Sequence, residues 1–300
     1  MKNKYPRNML GYGSNPPKVT WPNNSKIAVQ FVLNYEEGGE NSILHGDKSS
    51  EIFLSEIIGA KAIKGRHINM ESLYEYGSRV GFWRIHELFK NYNLPLTIFG
   101  VGMALERNLE ICNEMKKSNY EIASHGWRWI DYQNISKSIE KKHMQKAIGS
   151  IKKIFGNRPV GWYTGRCSPN TLDLVIEDGG FLYSSDTYSD DLPYWEIKGE
   201  KKQLMIPYTL DNNDMRFLTN QGFNSGDQFF YYLKDSFDTL YQEGKDKPKM
   251  MSIGLHCRII GKPGRIQSLK KFLDYITGLD KVWICKREEI AKHWIENHNN

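Results

Sequence analysis

Apolar runs of strand length and segments of helical spacing alternate along almost the whole chain, and this alternation constrains the fold more than any single motif. Strand candidates stand at 27–34, 96–100, 121–124, 160–164, 181–184, 204–207, 250–255 and 282–285. Helix candidates stand at 78–92, 103–119, 137–155, 169–178, 226–243, 262–278 and 287–297. Repeated units of this kind predict an α/β fold with a largely parallel sheet. Seven or eight in one chain favour a closed or nearly closed barrel over a doubly wound sheet. The expectation is a single distorted (β/α) barrel of about seven strands, one domain over residues 1–300, with an insertion at about 38–77.

Composition narrows the function by exclusion. An apolar fraction of 39% in 300 residues supports a substantial core. The opening MKNKYPRNMLGYG lacks the apolar stretch of a signal peptide, and no apolar run is long enough to cross a bilayer. A soluble, cytoplasmic protein with no membrane partner is expected. Cys112, Cys167, Cys257 and Cys285 are widely spaced without a CxxC pair, which predicts free thiols. The net charge of +6 is dispersed over putative helices rather than clustered between stacking aromatics, which argues against nucleic acid. A small polar or anionic substrate remains compatible. Gly11-Tyr12-Gly13 has neither the spacing nor the following helix of a nucleotide loop.

Reactive side chains collect where the strands end. Asn34-Tyr35-Glu36-Glu37 closes the first strand and Ser124-His125 the third; Gly165-Arg166 follows the fourth, Asp186 the fifth and His256 the seventh. In β/α barrels the loops after the strands build the active site. Five such sets at five strand ends are hard to explain by packing alone. The insertion, with His45, His67 and the stretch MESLYEY, would cap this site, build an oligomer interface or simply decorate the barrel.

The order Glu36-Glu37-Gly38, Ser124-His125-Gly126-Trp127-Arg128-Trp129, Gly165-Arg166, Asp186 and Ile253-Gly254-Leu255-His256 resembles the polysaccharide deacetylase family over roughly residues 25–290. The longer strings GYGSNPPKVTWP, FVLNYEEGGE, MESLYEYGSR, SHGWRWIDYQ, GWYTGRCSPNT and SSDTYSDDLPYW resemble its allantoinase branch, which opens the hydantoin ring of allantoin without a cofactor in purine catabolism. The resemblance implies a polysaccharide-deacetylase-like barrel, a carboxylate base, an arginine that orients it and a late histidine as general acid. In this chain those are Glu36 or Glu37, Arg166 and His256, with His125 binding substrate or water. Asn34, Trp129, Tyr163, Asp186, Asp190 and Trp195 are the expected substrate contacts, although Trp127, Trp129, Trp162 and Tyr163 are equally natural core residues. The branch also implies a homo-oligomer, most simply a tetramer.

Residue chemistry separates this chain from the metal-dependent pattern. Trp129 stands where the second histidine ligand of the deacetylases belongs, and an indole offers no lone pair to a cation. Glu37 and His125 are then the most that remain, one short of the three protein ligands of a catalytic zinc. No metal and no other cofactor is expected. Opening a cyclic ureide then requires a base for water, a donor for the oxyanion and an acid for the leaving nitrogen. A metal-dependent N-deacetylase and a silent binding protein are the alternatives.

Overall fold

The computed structural model describes residues 5–298. Its sheet is organised around β1 (Ile27–Tyr35), which is buried along its whole length. β8 (Lys249–His256) runs parallel along one edge of β1, in register from Ile27 opposite Lys249 to Asn34 opposite His256. The other edge is shared: β9 (Val282–Ile284) pairs with residues 27–29, and β2 (Thr97–Gly100) pairs with residues 32–35. From β2 the sheet continues through β3 (Glu121–Ser124), β4 (Gly161–Trp162), β5 (Tyr183–Ser184) and β7 (Lys201–Met205) to the edge strand β6 (Tyr194–Lys198). All pairings are parallel except the β6–β7 hairpin.

The curled sheet is the expected barrel left open at one seam. β7 and β8 share no ladder, and a single bridge between Asn213 and Gly254 spans the gap. Arg287, fully buried, stitches this seam from inside. Its guanidinium donates to Gln30 on β1, to Ser252 on β8, to the Ser185 hydroxyl and to the carbonyls of Ile206 and Pro207. These contacts satisfy a cation that would otherwise be costly to bury.

Alternation along the strands decides what faces the interior. The odd-numbered residues of β1, from Ile27 through Phe31 to Tyr35, pack outward with Phe89 and Phe272 in the main apolar core. Ala28 and Val32 pack inward beside Phe99 and Tyr208, and Gln30 and Asn34 share that face. On β8, Met251, Ile253 and Leu255 join the outer core while Ser252 turns inward to Arg287.

Helices cover the outside: α1 (Ile68–Tyr76), α2 (Phe82–Asn91), α3 (Gly102–Arg107), α4 (Leu109–Lys117), α5 (Lys137–Phe155), α6 (Thr171–Asp178), α7 (Gly226–Glu243), α8 (Cys257–Ile260), α9 (Pro263–Thr277) and α10 (Arg287–Asn297). The segment expected as one helix at 103–119 divides at Asn108, whose side chain caps α4. The insertion expected over 38–77 is loop only as far as α1. A π-turn, Gly77–Gly81, then joins α1 to α2. The β6–β7 hairpin was not foreseen beyond its second strand. All four cysteines are free, and no described helix is long and apolar enough to cross a membrane.

Candidate active site

Following the inward alternation to the last residue of β8 and one residue past β1 and β3 gives the centre of the site. After Asn34 on β1 comes Glu36, after Gly254 on β8 comes His256, and after Ala123 on β3 comes His125. The three converge. One Glu36 oxygen lies 3.3 Å from His125 Nε2 and 3.5 Å from His256 Nε2, and all three residues are buried. The other oxygen accepts a 2.8 Å hydrogen bond from Arg258 Nη1, two residues past His256. His125 lies between two acceptors, since its Nδ1 meets the Tyr163 carbonyl at 3.2 Å.

His256 is held from behind by Asp214. Its Nδ1 lies 2.6 Å from one Asp214 oxygen, and its backbone N–H donates to the other. Asp214 stands on a short 3-10 turn, Asp214–Leu218, capped by the Asn213 side chain. That turn reaches β8 because Gly254 has no side chain: a Cβ there would sit 2.2 Å from the Asn213 amide nitrogen.

These neighbours set the charges. Burial pushes the Glu36 carboxyl up, but Arg258 above all, then His256 and His125, more than offset it and hold Glu36 well below the usual carboxylate range. Burial alone would lower His256, yet Asp214 and Glu36 raise it above 6.5. The site thus keeps Glu36 ionised and shifts His256 toward its protonated form.

Glu37 faces the other way, as strand parity requires. It accepts from the Glu36 backbone N–H and packs on Gly77, where a Cβ would approach its oxygen to 2.3 Å. Burial raises its carboxyl, with Arg258 acting against the shift and Glu36 with it. Of the two glutamates, Glu36 is the one that faces both histidines.

Glu36, His125 and His256 border a cavity of about 230 Å³ with mostly apolar walls. Asn34, Trp129, Tyr163 and Arg166 also line it, as do Tyr188, Tyr208, Leu210, Asn213 and Met215. Phe53 and Leu54 of the insertion close one side, so part of that loop does cap the site. The volume lies below the roughly 300–1,000 Å³ of most ligand clefts, which suits a compact ligand.

Four assignments change. Arg166 does not orient the base: its side chain forms no ion pair with either glutamate, donates to the Trp129 carbonyl and lies 3.9 Å from Glu51. Arg258 holds Glu36 instead. Asp186 accepts the backbone N–H groups of Thr164 and Gly165, so it secures the turn after β4 rather than facing the cavity. Asp190 bonds the Leu192 N–H and borders a separate hollow with Asp191 and Asp211. Trp195 lies on the edge strand β6, where its indole donates to the His298 carbonyl. Asp214 and Arg258 were missed. Arg258 follows His256 by two residues and was open to notice, whereas nothing marks Asp214 among its neighbours.

The donors do not fit a catalytic divalent ion. Trp129 contributes no ligand, Glu37 points away, and no group of three His, Cys, Asp or Glu among the described residues could hold a metal. Arg258 already brings a fixed cation to Glu36, and a second positive centre beside it would be repelled.

The polysaccharide deacetylase family profile matches residues 69–176. A Schizosaccharomyces pombe protein named for polysaccharide deacetylation is 42% identical, covering 97% of this chain and 98% of its own. The crystal structure of PuuE allantoinase superimposes with a TM-score of 0.97 at 55% identity, covering 99% of this chain and 100% of its own. A Pseudomonas aeruginosa PAO1 structure, likewise named for polysaccharide deacetylation, gives a TM-score of 0.97 at 58% identity over 99% and 100% of the two chains.

Proposed function

This chain belongs to the polysaccharide deacetylase family, and from that premise we propose that it is a metal-independent hydrolase of cyclic amide C–N bonds that opens the hydantoin ring of allantoin to allantoate. One observation carries the reading: Glu36, held ionised, lies 3.5 Å from His256, whose protonated form its neighbours favour, beside a small cavity, so a base and an acid are paired there. Full-length likeness to an allantoinase supports the choice of ring.

In this scheme water donates a proton to Glu36 as its oxygen adds to the ring carbonyl carbon. The negative oxygen develops beside the His256 N–H. The ring C–N bond then breaks, and its nitrogen takes the proton from His256 while Asp214 steadies the imidazole. Transfer of the proton from Glu36 to His256 restores the pair. Arg258 keeps Glu36 ionised and correctly aimed. An imide-like carbonyl is more electrophilic than the amide of an N-acetyl sugar, so catalysis without a Lewis acid is less demanding here than in deacetylation.

Purified protein is expected to open allantoin and to release no acetate from chitooligosaccharide, with turnover surviving prolonged EDTA or dipicolinate treatment. Chelator-sensitive activity rescued by one divalent ion would overturn the metal-free scheme. Acetate release without ring opening would favour the deacetylase alternative.

The pH profile should fall on its alkaline side. Because Asp214 and Glu36 raise His256 above its ordinary value, kcat/KM should decline as pH rises through that raised value. Asp214 is the larger of the two raising charges, so Asp214→Asn should move the descending limb to lower pH. An unmoved limb would remove His256 from the acid role.

We also propose self-association through the insertion, which exposes Leu44, Ile52, Ile58 and Ile68. A tetramer is the expected mass by light scattering, and a monomer at micromolar concentration would refute it.

A further inference from the structure

A second hollow, about 540 Å³, adjoins the catalytic cavity, and Arg166 and Phe53 belong to the walls of both. Arg166 is held flat as a divider: its guanidinium carbon stands 4.2 Å from the Trp129 ring centroid and 5.5 Å from that of Phe53. Its Nη2 is engaged by the Trp129 carbonyl, while its Nε has no hydrogen-bond partner among the described residues. Glu51 spends its carboxylate on the backbone of Asn41, Ile52 and Phe53 and on the Asn41 amide, which fixes Phe53 in position. The outer hollow adds Asn41, Ser49 and Asp131, a set that both donates and accepts.

The two spaces differ in chemistry. The inner one is small, mostly apolar and carries the reacting groups; the outer one is larger and mixes polar with apolar walls. A ligand matched to both would place a compact ring inside and extend a polar arm past Arg166. Glu51 and Asp131 beside Arg166 disfavour a negatively charged arm, whereas a neutral carbonyl would take the unspent guanidinium donor and its N–H groups would find acceptors. We propose that the outer hollow is a subsite for a neutral, urea-type acyclic arm on the substrate, with Arg166 as the residue that selects for it. The proposal rests on the ring-opening reading and adds the recognition of what the ring carries.

The test compares allantoin, which has a ureido arm, with hydantoin, the bare ring. Wild-type protein should prefer allantoin in kcat/KM. Arg166→Met, which keeps much of the stacking surface but removes the donors, should reduce the allantoin-to-hydantoin ratio by about 10- to 100-fold, the range for losing a hydrogen bond to a charged group. Ser49→Trp, placing a bulky ring at the wall of the hollow, should reduce the ratio in the same direction. Calorimetric binding of both compounds to Glu36→Gln and to Glu36→Gln/Arg166→Met gives the same ratio without turnover. Equal losses for the two compounds, or an unchanged ratio, would overturn the subsite and leave ring opening intact. An Arg166-dependent binding preference in a protein that opens neither ring would support the subsite and overturn the catalytic reading. Neither binding nor opening would overturn both.

Discussion

Glu36→Gln is expected to lower kcat for allantoin opening by about 10²–10⁴-fold, the range associated with loss of a general base. Arg258, His256 and His125 converge on this carboxylate, and together they favour its ionised form. The amide keeps the shape and still offers an oxygen to Arg258, so KM and the thermal midpoint should change little. Glu37→Gln is the internal control: Glu37 faces away, so its replacement should cost far less in kcat. Comparable losses in the two variants would show that the glutamates act as a unit. A Glu36→Gln protein retaining a tenth of wild-type turnover would remove it from the base role.

Arg258→Met should damage stability and activity together. Glu36 and Glu37 both lean on this guanidinium, at 2.8 and 3.5 Å, and all three side chains are almost wholly buried. Removing one partner of a buried pair commonly costs about 3–5 kcal/mol, because the remaining charge is left uncompensated. The pH dependence identifies the cause. In the wild type, the depressed Glu36 value contributes stability that is present above its unfolded value of 4.5 and is lost as pH falls toward the folded one. Without Arg258, burial pushes Glu36 upward, so acidification no longer removes that contribution. The stability deficit of the variant should be greatest near neutrality and shrink below about pH 4.5, as seen in denaturant midpoints across pH. Its activity should fall more at pH 6 than at pH 8, because the base would now be partly protonated. A deficit independent of pH would mean that Arg258 acts through packing on Tyr74 and Trp129 alone.

The sequence showed the strand–helix rhythm because long buried strands and amphipathic helices carry strong periodic signals. β3, α5, α7 and α10 occupy the predicted boundaries. It showed β4 and β5 less well, since two-residue ladders have no period to read. The first strand of the β6–β7 hairpin was missed because Trp195 and its neighbours lie half-exposed at an edge. The chemistry at the ends of β1, β3 and β8 was legible from its position after apolar runs. Which glutamate faces inward was legible too, through the parity that puts Asn34 inside. Asp214 could not be found this way: it follows no strand end and acquires its role only when the turn after Asn213 folds against Gly254. Arg166 misled because its place in the motif order matched, while the ion-pair geometry belongs to Arg258.

The stitch made by Arg287 ties the history of the molecule to its last helix. β1 emerges early from the ribosome, but its partner β8 lies more than 220 residues later, and the cation that joins β1, β5 and β8 across the seam arrives later still. Chains fold as they are made, from the amino end. Until residue 287 leaves the exit tunnel, the polar interior around Gln30, Ser185 and Ser252 has no counterpart and the seam has no clasp. The seam can therefore close in its native form only after α10 has been made, and a chain cut short ahead of that helix should be more open to proteases than the full one.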